Sequence, residues 1–158
     1  MSHDVHVPPG TILGHPKGLF LLFVTEMWER FSYYGMRALL VLYAVAATHA
    51  ANPGLGWGDA QALKLYAWYT GLTYFTPLFG GWLADNYLGQ RKAVIIGGII
   101  MALGQFSLAA PLDTLGTTAA VSIPALGIVF PDTPTTFYLG LLGLIIGNGF
   151  FKPNISTM

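Results

Sequence analysis

"GLFLLFVTEMWERFSYYGMRALLVLYAVAA", residues 18–47, is apolar at both ends and charged in its middle. Its flanks read as a membrane-crossing helix, yet Glu26, Glu29, Arg30 and Arg37 lie inside it. At ~1.5 Å per residue the segment runs about 45 Å, more than a hydrocarbon core needs, so it must tilt or protrude. At about 100° per residue, Glu26, Glu29, Arg30, Tyr33, Tyr34 and Arg37 share one arc of roughly 140°. A charge at bilayer depth costs at least ~2.5 kcal/mol, so this face must turn to protein or water. Glu26 and Arg30 stand one turn apart, acid first, the order that favours pairing. Two readings follow. One is a buried ionic network tying the helix to its neighbours, although such networks stabilise poorly beside packed apolar residues. The other is a proton pathway with an anion-binding arginine. Desolvation favours a protonated carboxyl and a nearby arginine favours the ionised one. A carboxylate whose arginine a ligand can draw away is therefore a proton switch.

The rest of the chain fits the same solvent. Of its 158 residues 54% are hydrophobic and 9% charged, against about 25% charged in a soluble domain. Further apolar segments span about 62–83 and 93–112, and another begins near Thr136, so the fold class is all-α and integral to a membrane. Turn-forming stretches separate them: "HAANPGLGWGD", "DNYLGQRK" and "GIVFPDTPTT". Within residues 113–135, "AAVSIPALGIVF" is apolar but short and broken by Pro124, and reads as interfacial and not spanning. Zero net charge argues against a nucleic-acid partner. The absence of cysteine removes disulfides, thiolate metal sites and cysteine nucleophiles. His3 and His6 in a polar tail do not make a metal site, and neither a metal nor a cofactor is expected. There is no HExxH, G-x-S-x-G or phosphate loop to support an intramembrane enzyme.

Lys17, and Arg91 with Lys92, mark the cytoplasmic side by the positive-inside rule, against the lone Lys64. Residues 1–17 are then a cytoplasmic tail, without the basic n-region of a cleavable signal peptide, and 18–158 a four-helix bundle. The chain stops at "FFKPNISTM" with no cytoplasmic flank, which reads as the N-terminal part of a larger protein. In the second segment Tyr66, Trp68, Tyr69 and Tyr74 surround Pro77, and Tyr69 lies deep enough to offer its hydroxyl to a cavity. Tyr66 and Trp68 read as packing or interfacial aromatics. In the fourth, Gly143 and Gly147 form a face for close helix contact. Lys152 and Asn154 flank Pro153, about 24 Å from Thr136 along the helix. Lys152 either snorkels to the inner surface or faces a cavity.

These residues carry a resemblance to the proton-dependent oligopeptide transporters of the major facilitator superfamily. "EMWERFSYYG" matches that family's ExxERFxYYG signature, "GGWLADNYLGQRK" resembles the superfamily's loop between helices two and three, and "GNGFFKPNIS" resembles the family's fourth helix. The resemblance implies the first four helices of an N-terminal six-helix half. It implies proton coupling at Glu26, Glu29 and Arg30. Arg30 and Lys152 would take a peptide's carboxylate, Tyr33, Tyr34 and Tyr69 its backbone, and Arg37 would reach a central polar network. Asn154 is placed with these substrate-binding residues, and Asp85, Gly89 and Arg91 at a cytoplasmic gate.

The resulting expectation is a multi-pass plasma-membrane protein, in a bacterium the inner membrane, with its N-terminus cytoplasmic. It is a symporter of di- and tripeptides working by alternating access, with the proton gradient as energy source. Its partners are the peptide, protons, the lipid bilayer and the C-terminal helices of a complete transporter, and these four helices alone do not transport. The alternatives are a nitrate or other anion transporter of the same family, or a non-transporting membrane assembly subunit.

Overall fold

The structure is a computed structural model that describes residues 11–12, 15–110 and 115–155. His3, His6, Asp113 and most of the N-terminal tail lie outside the described residues. Two compact units divide the chain, Met1–Ala38 and Leu39–Met158.

In the first unit, strands β1 (Thr11–Ile12) and β2 (His15–Pro16) pair antiparallel, with Thr11 opposite Pro16 and Ile12 opposite His15. Helix α1 (Lys17–Val45) follows without a gap and reaches into the second unit. It is one uninterrupted helix of 29 residues, ~43 Å long. The Thr25 hydroxyl donates to the Leu21 carbonyl one turn back, and Gly35 does not break the helix.

The second unit holds the end of α1, α2 (Asp59–Leu83), α3 (Gln90–Ala109) and α4 (Thr135–Ile155). The loop after α1 turns back on it: the N–H groups of Leu55, Gly56 and Trp57 donate to the carbonyls of Tyr43, Ala46 and Ala44. Those carbonyls would otherwise be left open at a helix end. Gly54 fits only because it lacks a side chain, since a Cβ there would strike the Tyr43 carbonyl.

Helix α4 is the centre of this unit. It packs antiparallel to α3, so that Gly104 meets Gly140 and Gly143 while Gly97 meets Gly147. A Cβ on Gly97 would lie 2.7 Å from the Gly147 carbonyl oxygen, so the two backbones touch. The expected small-residue face at Gly143 and Gly147 is thus real, and its missing half is Gly97 and Gly104, seven residues apart on α3. Against α2, α4 runs parallel. The Thr76 hydroxyl donates to the Ile145 carbonyl at 3.0 Å, and Gly80 rests on the backbone of Gly149.

Two features differ from the sequence reading. The stretch read as a break, "DNYLGQRK", does not end the helix at Leu83. The backbone continues through a wide turn, Ala84–Leu88, closed by the Gly89 N–H donating to the Ala84 carbonyl five residues back at 2.8 Å. The chain then reverses at Gly89, whose φ of 77° and ψ of 145° suit glycine alone. The second is a correction to the all-α class. Residues read as interfacial and not spanning form an antiparallel hairpin of β3 (Thr118–Ile123) and β4 (Ile128–Pro134), around a short turn at Pro124–Leu126. Period-two alternation buries Ile128 and Phe130, and a register shift in the ladder breaks the period before Thr133, which is also buried. Phe130 stacks on Trp57, with centroids 5.8 Å apart and an interplanar angle of 11°. Trp57 also meets the edge of Phe137 on α4.

Among the described residues, one helix, Gln90–Ala109, is long and apolar enough by length and composition to cross a membrane. Of the other helices expected to span, α1 holds five charges, Lys17, Glu26, Glu29, Arg30 and Arg37, and α4 holds Asn148 and Lys152.

Candidate functional site

The arc read from the sequence on α1 is present as a helical face in the first unit. Arg30 donates from Nη2 to Glu26 Oε1 at 2.7 Å and from Nε to the same oxygen at 3.2 Å. The pair forms because four residues make just over one turn and the glutamate precedes the arginine. Both side chains stay open, at 53% and 41% exposure, so water screens the attraction. A cavity of about 300 Å³ opens beside the pair, lined by Phe23, Glu26, Met27 and Arg30.

One turn on, Glu29 and Tyr33 are buried, at 9% and 7% exposure. The two glutamates thus differ in environment: Glu26 is ion-paired and open, Glu29 desolvated. Arg37 Nη1 reaches the Tyr33 hydroxyl at 3.4 Å, and its guanidinium lies 5.3 Å from the centre of that ring. Tyr34 meets Tyr33 edge-on at 5.4 Å and is itself exposed. Arg30 and Arg37 are therefore each held by a residue one turn earlier, the first by a carboxylate and the second by a phenol.

In the second unit, Lys152 sits near the end of α4 with its Nζ 5.2 Å above the Tyr74 ring of α2. An ammonium over an aromatic face is held electrostatically and yields to a better anion. Tyr74 was not singled out from sequence as a site residue. Tyr69, which was, is 3% exposed and lies on the packed stripe of α2 with Ala62, Leu65, Thr73 and Gly80. Five residues separate the two tyrosines, about 140° around the helix, so they face different ways. The parallel packing of α2 on α4 decides which meets the lysine, and no local pattern encodes that.

Asn154 is 2% exposed and donates through Nδ2 to the Phe150 carbonyl at 2.7 Å. Helix α4 runs past Pro153 to Ile155, and the asparagine amide bonds to a carbonyl in its last turn. Asn148, one turn before Lys152, is a further buried polar residue that the sequence reading did not pick out. Just past the C-terminal end of α2, Asp85 and Arg91 are exposed on either side of the Gly89 reversal. No ion pair joins them among the described residues. No group of three or more potential metal ligands occurs among the described residues.

No family model matches the chain. Curated relatives do. A di-/tripeptide transporter of Lactococcus lactis is 41% identical over 148 residues, covering 94% of this chain and 26% of the relative. The peptide transporter YePEPT of Yersinia enterocolitica is 38% identical over 159 residues, covering all of this chain and 27% of the relative. The crystal structure of a peptide transporter POT in complex with sulfate superposes with a TM-score of 0.76 at 37% identity, over 96% of this chain and 26% of that one. A POT family transporter in complex with 5-aminolevulinic acid gives 0.75 at 34% identity, over 96% and 26%. The chain resembles the POT family of peptide transporters. The likeness runs through nearly all of this chain and about a quarter of the POT transporters it matches, whose solved forms are membrane proteins.

Proposed function

We propose that the chain is part of a proton-coupled symporter of di- and tripeptides that works by alternating access, supplying the first four transmembrane helices of its N-terminal half. The observation that carries this reading is the face of α1, where an exchangeable Glu26–Arg30 pair stands one turn from a desolvated Glu29. The peptide-transporter names of its relatives favour peptides as the substrate class.

In this reading Arg30 receives the peptide's carboxylate and releases Glu26. Glu26 and the buried Glu29 are then the carboxylates that take the proton. Lys152, whose Nζ lies over the Tyr74 ring, supplies a second cation for the carboxylate. Tyr33, Tyr34 and Tyr69 offer hydroxyls to the peptide backbone, Arg37 extends the polar network, and Asn154 supports Lys152. Asp85, Gly89 and Arg91 belong to the cytoplasmic gate. Binding of both loads neutralises charge, and neutral helix faces can rock together and open the other side.

The chain lies in a plasma membrane with its N-terminus cytoplasmic, and its partners are protons, lipid and the C-terminal helices of the transporter. It needs no cofactor beyond the proton gradient, and these four helices alone do not transport. Dialanine uptake into vesicles holding the protein with those helices tests the substrate class. Accumulation that dialanine itself outcompetes and nitrate does not is expected. Inhibition by nitrate with no effect of dialanine would move the substrate to the anions.

A further inference from the structure

The connector between α3 and α4 has a tip of the wrong chemistry for water. Turns are dominated by Gly, Pro, Asn, Asp and Ser, and the last three bring polar side chains that suit water. This one reads Ile123-Pro-Ala-Leu-Gly-Ile-Val129, and residues 114–131 hold no charge at all. Gly127, with φ of 65°, closes the turn by donating its N–H to the Pro124 carbonyl at 2.9 Å. The buried side of the hairpin is committed: Phe130 is stacked on Trp57, and Tyr138 donates to the Pro131 carbonyl at 2.8 Å. At the tip Ile123, Leu126 and Val129 are each about half exposed.

Connectivity fixes where this tip can be. β4 passes into α4 without an intervening residue, and the Ser107 hydroxyl in the last turn of α3 donates to the Thr136 carbonyl at 2.7 Å. The base of the hairpin is therefore held at the shared end of the α3–α4 pair. α3 is the helix with the length and composition to cross a membrane, and its outward residues Ile95, Ile99, Leu103 and Phe106 stay apolar and exposed up to that end. A six-residue strand is ~20 Å long, so the tip stands at most that far from the level at which such a helix leaves the hydrocarbon.

We propose that the tip, residues 123–129, inserts into the lipid surface at the α3–α4 end and continues the apolar belt of α3. A lipid surface suits this chemistry better than a protein partner, because a protein interface carries a polar rim and this tip has none. The inference rests on α3 crossing the bilayer and is independent of what is transported.

The chain has no cysteine, so a nitroxide on Leu126→Cys labels this chain at one position, and Asp132→Cys provides a control lower on the hairpin. Relaxation of the label by oxygen and by a water-soluble nickel chelate is read with the protein in phosphatidylcholine nanodiscs. Oxygen should dominate at 126 and nickel at 132, a reversal of sign between the two positions. Nickel dominance at 126 would place the tip in water, and poor access to both would place it against protein; either overturns the proposal. Leu126 is exposed, so the substitution spares the packed side of the hairpin, and near-unchanged thermal stability checks this.

Discussion

At the scale of single residues, the account depends on which groups are held weakly. Arg30 is held by Glu26 in an open one-turn pair, and Lys152 by the face of Tyr74. Both contacts are of a kind that an incoming carboxylate can replace. Tyr74→Phe keeps a ring beneath the ammonium and should leave peptide affinity within about twofold, whereas Tyr74→Leu should raise KM by roughly two- to fivefold with smaller change in kcat. Equal loss in both variants would show that the hydroxyl, and not the ring, does the work. Arg30→Lys keeps the charge but not the planar fork, and should lower peptide affinity by about tenfold in equilibrium binding. The arc on α1 was legible from sequence because helical period alone fixes it, and the Glu26–Arg30 pair followed from spacing. The choice of Tyr74 beside Lys152 was not legible, because it depends on how two distant helices pack.

At the scale of elements, glycine decides how close the helices come. Gly97 and Gly147 have backbone against backbone, so an added methyl group has no flexible neighbour to displace. Gly97→Ala should lower stability by about 1–3 kcal/mol, read as a fall in the melting temperature in detergent. Gly98→Ala, which finds only ordinary contact with Phe151, should change it little and serves as the comparison. Gly89→Ala meets no neighbour but carries φ of 77°, and should cost about 1–3 kcal/mol through the backbone alone. The half of the glycine ladder on α4 was visible as a motif in one helix. Its complement, seven residues apart on α3, gained meaning only from the antiparallel register. The hairpin escaped the sequence reading because its strands are short and apolar on both sides of the turn, so alternation is faint until Phe130 and Ile128 are seen packed.

At the scale of the whole molecule, a chain of this kind must reconcile apolar helices with groups that bind charge. The helix α3, whose one proposed functional residue is Arg91 in its first turn, has the composition of a membrane span, while α1 and α4 depart from it at residues proposed for transport. The central claim is that the carboxylates of α1 couple peptide movement to protons, with Glu29 the desolvated member. Its most direct measurement is dialanine accumulation in proteoliposomes with an imposed inward proton gradient, for the native protein and for Glu29→Gln. Peptide-for-peptide exchange without a gradient is measured beside it. The account predicts gradient-driven accumulation in the native protein and its loss in Glu29→Gln, with exchange retained. Uptake indifferent to the gradient, or undiminished accumulation by Glu29→Gln, would contradict it.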